Sequence, residues 1–427
     1  MGRLDTFVAP QPKRWVIRAM TPVNRVFMLG GIPLLRDVPL LRRVPGIRGV
    51  TNIRVFDFPA ADQARLAVVC GAGKATFVTP NHPEFFTDWM IDKEVLARVS
   101  PWAAAWATHG VVNGLGRAMQ KFWLANNLIA QIPGNAGAAR EHSVTWSLTG
   151  NGVLLHPEGA VGWHADTVAP LLPGAAEMAG EALERGRWER PGFQAWVAPV
   201  VWKLVFLRDV ERELAAECAY VEKRLRIAVE SGLPPPRRVY RIYEELLARA
   251  EARSGLVADR SLPFSERHEA LITHLERQLS GELTLSEGQE PQRVARRWLR
   301  ENRGHERYSA VKALSGEIAL QRRIGPFAFA NPLVTQEELA EHLKRIRNDY
   351  CAGTLRDTLN RFVPQPAAPR RAILRVPEPI GLHAWQGSAA EATEELRRRM
   401  QAAIDTINAE LASSTPRVTY PNPFHAG

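Results

Sequence analysis

Residues 75–89, Ala-Thr-Phe-Val-Thr-Pro-Asn-His-Pro-Glu-Phe-Phe-Thr-Asp-Trp, join a β-branched run to a helix-like run through a turn that carries His82 and Asp88. The first part, Ala75–Thr79, has the composition of a buried strand. Thr87 is a suitable N-cap for a helix that begins at Asp88. The stretch therefore predicts a histidine and a carboxylate at the point where a buried strand gives way to a helix.

Strand and helix patterns alternate on both sides of this turn. Ile53–Phe58 alternates apolar and polar residues like a half-buried strand, and Ala61–Val69 has the pattern of a short helix. Val153–His156 and Trp196–Trp202 are further predicted strands. The stretch 101–132 is predicted as helices whose aromatic residues pack in a core or line an apolar pocket: Trp102, Trp106, Phe122 and Trp123. This alternation predicts an α/β fold with functional loops at the strand ends.

The pattern changes near Arg208, after which apolar residues recur at helical spacing and strand signals nearly disappear until residue 370. The many Arg and Glu residues of this section are predicted to form a solvated surface held by opposite-charge pairs. A strand at Arg371–Val376 and a helix with one apolar face follow. The predicted organisation is an amphipathic N-terminal arm at 1–50, the first part of the α/β domain at 51–208, a helical insertion at 209–368, the closing strand and helix of the α/β domain at 369–412, and a poorly ordered tail at 413–427.

The composition narrows the choice of partners and compartment. Lys+Arg exceed Asp+Glu by 55 to 45, and the net charge of +10 favours an anionic partner. The basic residues are interspersed with acidic ones and no known nucleic-acid module is visible, which argues against nucleic acid. The arm mixes apolar and cationic residues, so it either lies on an acidic lipid surface or packs on its own domain. Cys70, Cys218 and Cys351 are widely separated, as reduced thiols of a cytosolic protein are, and no signal peptide or membrane span is predicted.

A histidine followed closely by an aspartate can act as a general base. The carboxylate fixes the tautomer of the ring while the free nitrogen takes a proton from a hydroxyl. Taken alone, such a pair is more often structural than catalytic. A second polar turn, Pro157-Glu158-Gly159, follows another predicted strand and is expected at the same edge of the sheet. The sequence contains neither a nucleophile-elbow serine nor an HExxH or paired CxxC metal motif.

Three motifs in this order resemble those of the glycerolipid acyltransferase family, the lysophosphatidate and glycerol-3-phosphate acyltransferases. They are Asn81-His82 with a following aspartate, His156-Pro157-Glu158-Gly159, and Val197-Ala198-Pro199-Val200-Val201. The closing strand and amphipathic helix are similar to those of the bacterial members. The resemblance covers about 51–208 and 369–412, and it implies a mixed sheet flanked by helices, interrupted by an inserted all-helical domain.

The family resemblance also implies an activity and a site. Members move a fatty acyl group from an acyl-CoA or acyl-carrier-protein thioester to a hydroxyl of glycerol phosphate, a lysophospholipid or a related lipid alcohol. By that likeness His82 is the base and Asp88 its orienting partner, while Asn81, Glu158 and Gly159 belong to the acceptor site. No metal and no tightly bound cofactor is implied. The expected location is the cytoplasm, peripheral on the inner face of an anionic membrane.

The chain departs from the family pattern at three places. The family has four residues between histidine and aspartate, whereas Asp88 comes one residue later, so a one-residue bulge is needed to keep the pair intact. Ala160-Val161 stand where the family commonly has a hydroxyl residue and an arginine. The family's upstream arginine is also missing, and the first arginine there is Arg140. These departures disfavour a glycerol-phosphate acceptor, and they support the alternative of a non-catalytic lipid-binding or scaffold relative.

Overall fold

The structure is a computed structural model. It describes residues 6–114, 116–132, 136–162, 165–283, 285, 289–324, 328, 331–363, 368–414 and 417–425. The chain folds into two units: Met1–Asp209 with Thr358–Arg417, and Val210–Asp357 with Val418–Gly427. Along the sequence the second unit is therefore an insertion, and it begins close to the predicted residue 209 and ends before the predicted residue 368.

The strands are β1 Ile53–Asp57, β2 Lys74–Pro80, β3 Ala104–Thr108, β4 Leu128–Gln131, β5 Val153–Leu154, β6 Gln194–Phe206, β7 Leu333–Thr335, β8 Arg370–Arg375, β9 Ile380–Gly381 and β10 Thr419–Pro421. The helices are α1 Arg14–Val23, α2 Pro45–Arg48, α3 Ala60–Val68, α4 Thr87–Val99, α5 His109–Asn113, α6 Gly116–Ala125, α7 Gly137–Ser147, α8 Gly174–Glu189, α9 Glu211–Leu225, α10 Pro235–Ser254, α11 Phe264–Glu282, α12 Pro291–Glu301 and α13 Tyr308–Gln321, followed by Gln336–Tyr350, Leu355–Phe362 and the closing helix Ala389–Ser414. A π-helical segment spans Asn24–Gly30 and a 3-10 turn spans Leu41–Arg43. No helix among the described residues is long and apolar enough to cross a membrane.

The first unit is built on one mixed sheet with strand order β1-β8-β6-β2-β5-β3-β4, and β9 adds to β6. β2 runs parallel to both β5 and β6, whereas β8 and β9 run antiparallel to β6. The prediction of an α/β fold with a mixed sheet flanked by helices is therefore confirmed. Because β2 and β5 are parallel neighbours, the turns that follow them leave the sheet at the same edge.

Alternate residues of the strands pack on opposite faces of this sheet, as period-two geometry requires. On one face Phe77 joins a core with α7, α8 and the apolar stripe of the closing helix. On the other face Val78 packs with α3 and α4, through residues such as Leu66 and Ile91. The strands at the centre read as continuous apolar runs because both of their faces are covered.

The N-terminal arm packs on the first unit and also exposes apolar side chains. Val16, Ile17 and Leu29 are buried. The Asn24 side-chain amide donates to the carbonyl of Met90 at 2.8 Å. Through these residues the arm packs on its own domain, which is one of the two predicted alternatives.

The inserted unit is helical apart from the antiparallel pair β7 and β10. The predicted stripe in α9 is buried at Leu214, Cys218, Val221 and Leu225. The charged residues of this unit were predicted to form a solvated surface, and that prediction is wrong at three places, because the helices pack charged faces against each other. Both partners are buried in the ion pairs Arg238–Glu222, Arg267–Glu251 and Arg347–Glu217. Each bridge satisfies charges that would be costly to bury alone.

Three local predictions differ from the structure. Within 101–132, two stretches predicted as helix form β3 and β4, because Ala-rich segments this short carry little periodicity. Thr87 is the first helical residue of α4 rather than its cap, and its hydroxyl donates to Glu84 at 2.7 Å. The tail predicted at 413–427 is ordered at 419–421, where β10 pairs with β7 of the inserted unit.

Candidate active site

The turn after β2 contains the extra residue that the His–Asp spacing called for. Phe86, just before α4, has φ +72°, a left-handed conformation that costs free energy for a residue with a side chain. With this irregular residue in the turn, Asp88 Oδ2 lies 2.9 Å from His82 Nδ1. The longer spacing therefore does not separate the two side chains.

The backbone around His82 is fixed from the neighbouring turn. The His82 N–H donates to the Glu158 carboxylate at 2.7 Å, and the Gly162 N–H donates to the His82 carbonyl at 2.9 Å. Glu158 also accepts a longer bond of 3.4 Å from the Ala169 N–H. Burial raises the pKa of Glu158 to about 7. The side chain of Glu158 thus ties the two turns together, and its predicted contact with an acceptor remains a prediction.

Asn81 has a comparable supporting position at the end of β2. Its buried side chain donates to the carbonyl of Trp202 at 3.0 Å and accepts from the N–H of Trp202 at 2.9 Å. These bonds hold the turn to β6. They occupy the side-chain amide of Asn81, which was predicted to belong to the acceptor site. Gly159 is the one predicted acceptor residue that lines the cavity beside the site, and its φ of +73° favours glycine.

A second histidine–aspartate pair lies beside the first. His156 Nε2 is 2.9 Å from Asp92 Oδ2, and the rings of His156 and His82 stack with their centroids 4.0 Å apart. Asp88 and Asp92 are four residues apart on α4, so both carboxylates lie on the same face of that helix. In both pairs the oxygen lies off the N–H axis, as is common in catalytic sites without substrate.

The contacts of His156 define its charge. Nδ1 lies 3.1 Å from the carbonyl oxygen of Asn81 and Nε2 faces Asp92, so both ring nitrogens meet acceptors. Both nitrogens are donors only in the imidazolium. Burial is the largest single effect and would lower the pKa of His156, but the charge and hydrogen bond of Asp92 together with the charges of Asp88 and Glu158 outweigh it, and the pKa rises to about 9. Burial raises the pKa of Asp92 to about 6, which still leaves it ionised at pH 7.

His82, in contrast to the charged His156, is neutral. Burial and then the charge of His156 lower the pKa of His82, while Asp88 opposes them in part. Burial alone would raise the pKa of Asp88, but His82 and His156 hold it below its ordinary value. The site therefore combines a neutral His82 with an ionised Asp88, and Nδ1 carries the proton that faces the carboxylate. Nε2 of His82 is then the nitrogen with the free electron pair.

Distance alone would allow a metal ion here, since ligand atoms of His82, Asp88 and His156 lie within 4.8 Å of one another. Binding a metal requires an electron pair from each histidine. One nitrogen of His156 donates to a carbonyl and the other faces Asp92, so a metal ion would have to displace the proton on Nε2. In the present arrangement the cluster consists of two histidine–carboxylate pairs.

An apolar cavity of about 620 Å³ opens beside His82, a size typical of sites for small ligands. Its wall includes three of the tryptophans of the first unit, Trp89, Trp106 and Trp123. The hypothesis that aromatic residues of 101–132 line a pocket thus holds for Trp106 and Trp123. The cavity could hold an extended apolar chain with its reactive end beside the histidine.

One cationic side chain of the Lys/Arg type lines the cavity within the described residues. It is Arg140, which contacts Glu177 at 2.7 Å and Glu181 at 3.2 Å. These two carboxylates offset its charge. Ala160 and Val161, which replace the family's hydroxyl residue and arginine, also line the cavity. Apart from His156, which is paired with Asp92, the described part of the wall therefore offers little positive charge to a phosphate group.

Sequence reasoning missed Asp92 and the charge of His156. The available signal was the presence of two aspartates four residues apart on a predicted helix, together with a histidine immediately before Pro157-Glu158-Gly159. Pairing them required the knowledge that β5 lies directly beside β2. The sequence pattern did not determine that strand order.

The fold and the site define the chain as an α/β protein with a mixed sheet and two adjacent histidine–aspartate pairs beside an apolar cavity. No family model matches the chain, and no curated protein matches it either. The case for a function therefore depends on the geometry of the site.

Proposed function

We propose that the protein is an acyltransferase that moves a fatty acyl group from acyl-CoA or acyl-carrier protein to a hydroxyl of a lysophospholipid or related lipid alcohol. The observation that carries this proposal is the position of His82. Its Nδ1 is paired with Asp88 at 2.9 Å, and the residue lines an apolar cavity of about 620 Å³. The order of motifs resembling the glycerolipid acyltransferases supports the same activity.

The reaction follows from these positions. Nε2 of His82 accepts the proton of the acceptor hydroxyl as its oxygen attacks the thioester carbonyl carbon, and Asp88 stabilises the imidazolium that forms. The tetrahedral intermediate then collapses and breaks the carbon–sulfur bond. The proton on His82 passes to the departing thiolate, which leaves as the free thiol. Backbone amides near the first turn are expected to stabilise the oxyanion.

A thioester-release assay with long-chain acyl-CoA and a panel of lipid alcohols tests this proposal. Release of CoA that depends on the acceptor, together with the acylated lipid in the product, supports it. Lipid binding without acyl transfer favours the alternative of a non-catalytic lipid-binding or scaffold relative. The paired state of Arg140 and the loss of the family's arginines are the observations that support that alternative.

We expect an acceptor without a phosphate monoester, because Arg140, the cavity-lining arginine, is already paired with Glu177 and Glu181. Monoacylglycerol should be acylated at least about tenfold faster than glycerol 3-phosphate at equal concentration. Glu177→Gln with Glu181→Gln frees Arg140 and should reduce that preference by about tenfold, the size of one charge-assisted hydrogen bond. The ratio of the two rates under matched conditions is the measurement.

Glu184→Gln provides the control, since Glu184 is an exposed glutamate of the same helix α8. It should leave the ratio unchanged. A wild-type enzyme that prefers glycerol 3-phosphate would contradict the expected acceptor class without contradicting acyl transfer itself.

The arm offers a surface for the proposed lipid partner. Trp15, Leu34 and Leu40 are 71%, 89% and 75% exposed, and Arg42 and Arg43 are exposed beside Leu40. Exposed apolar side chains next to cations suit a bilayer that contains anionic lipid. This arrangement supports a peripheral location on the inner face of a membrane.

Replacing Leu34 and Leu40 together by aspartate should weaken binding to phosphatidylglycerol-containing vesicles by at least about tenfold, since burial of each leucine is worth about 1.5 kcal/mol or more. Co-sedimentation measures the bound fraction. Val257→Asp is the matched control because Val257 is 95% exposed in the inserted unit. Equal loss of binding in the control would show that the arm is not the lipid-binding surface.

A further inference from the structure

We propose that His156 is a positioning residue that acts through His82. Held as an imidazolium between Asp92 and the Asn81 carbonyl, it stacks on the His82 ring, fixes the plane of that ring and keeps the base uncharged. The catalytic meaning of this inference rests on the proposed acyl transfer. Its physical content, the charge states of two stacked histidines, can be tested without any substrate.

The first step concerns the rigidity of His156. Its side chain is 13% exposed, and both of its nitrogens are held, one by a backbone carbonyl 3.1 Å away and one by a carboxylate 2.9 Å away. Asp92 is itself buried on α4, on the opposite side of His156 from the Asn81 carbonyl. Rotation of the ring would lose either the contact with the carbonyl or the close approach to Asp92. His156 therefore presents a fixed, charged face.

The second step concerns the effect of that face on His82. The ring centroids are 4.0 Å apart and the planes differ by 21°, so the two rings lie face to face. A neutral imidazole can accept a cation over its face, whereas a second imidazolium would be repelled. Asp88 fixes the Nδ1 edge of the His82 ring, and the stack fixes its plane. These two independent contacts together set the direction in which Nε2 points.

The third step is the balance of charges around His82. α4 contributes the carboxylates of Asp88 and Asp92. The turn after β5 contributes His156 and Glu158. The turn of His82 itself contributes Glu84, which is paired with Arg370 of β8 at 2.6 Å. Asp88 favours protonation of His82. The His156 cation, whose ring centroid is 4.0 Å from that of His82, opposes it, so removing that cation should let His82 protonate at higher pH.

The experiment is a histidine titration by NMR on the full chain, with ¹³C-labelled imidazole carbons assigned by His82→Gln and His156→Gln. In the wild type, His156 should remain charged through pH 8, and His82 should titrate below pH 6.5. In His156→Gln the midpoint of His82 should rise. His383→Gln, which removes a ring packed on Trp196, is the matched control and should leave the midpoint of His82 unchanged.

Asp92→Asn provides a second test if His156→Gln fails to fold. It keeps the shape of the side chain and removes the anion, so the midpoint of His156 should fall. An unchanged His82 midpoint in His156→Gln, or a His156 that is neutral at pH 7 in the wild type, would overturn the inference. Shifts of these resonances on addition of Zn²⁺ that EDTA reverses would also overturn it, because they would assign the cluster to a metal.

Acyl transfer adds a readout that a purely structural role would not change. In His156→Gln the rate should fall more at pH 6 than at pH 8, about tenfold on the acid side for each pH unit by which the His82 midpoint rises. A shifted midpoint with no acyl transfer by the wild type at any pH would reject the proposed function and leave the charge states assigned to the two histidines intact.

Discussion

Replacing His82 by alanine is expected to reduce acyl transfer by at least about a hundredfold, the lower end of the loss when a general base is removed. The physical reason is that Nε2 of His82, the ring nitrogen not facing Asp88, carries the electron pair that is proposed to take the hydroxyl proton. Without it the hydroxyl must attack while still protonated. The measurement is kcat/KM for a long-chain acyl-CoA and the best acceptor of the panel, with kcat determined separately.

The loss should appear in kcat, since the cavity that is proposed to hold the acyl chain keeps its tryptophan wall in this variant. His383→Ala is the control, because it removes an imidazole from the same unit away from the cavity wall. Wild-type turnover no higher than that of His82→Ala would reject the proposed catalysis. Vesicle binding that persists in both proteins would then point to the non-catalytic lipid-binding relative.

Much of the fold could be predicted because strong local patterns produced the elements that position the site. Ala75–Thr79 is apolar on both faces and forms a buried strand, and the stripe in the closing helix is buried against the sheet. The strands β3 and β4 were missed, because short Ala-rich runs do not distinguish strand from helix. β10 was missed because its partner, β7, lies more than 80 residues away in the sequence and only tertiary structure pairs them.

The site was partly predictable for the same reason. His82 and Asp88 are close in sequence, and the spacing identified the single condition that mattered, an irregular turn, which Phe86 provides. The pairing of Asp92 with His156 depends on strand order, and the charge of His156 depends on burial and on a backbone carbonyl. Neither quantity has a local sequence signature. Protonation states emerge only after packing has brought the groups together.

The surface of the inserted unit shows the limit of charge patterning. Arginine and glutamate at helical spacing predicted solvated pairs, yet Arg238 and Glu222 are almost fully buried. A pattern of opposite charges is the same whether a pair faces water or another helix. The choice between them depends on the neighbouring helix, here α10 against α9. Losing one partner of such a buried pair is far more destabilising than losing an exposed one.

Asp88→Asn should reduce kcat nearly as much as His82→Ala, because it reverses the tautomer of the base. The Trp89 N–H donates to Asp88 Oδ1, so the introduced amide keeps its carbonyl there and turns its NH₂ group toward Nδ1 of His82. Nδ1 must then accept, which places the ring proton on Nε2 and removes the electron pair that the proposed reaction uses. KM should change little, since this side chain is 10% exposed and the apolar wall is intact.

The matched control for this prediction is Asp405→Asn, which removes a carboxylate from the exposed surface of the closing helix. It should keep wild-type kcat, and both variants should unfold at similar temperatures if the loss in Asp88→Asn is chemical. Histidine NMR gives a second readout, since the tautomer of His82 should switch between wild type and Asp88→Asn. An active variant with a switched tautomer would show that His82 does not take the proton through Nε2. An active variant with an unswitched tautomer would show instead that the carboxylate does not orient the ring.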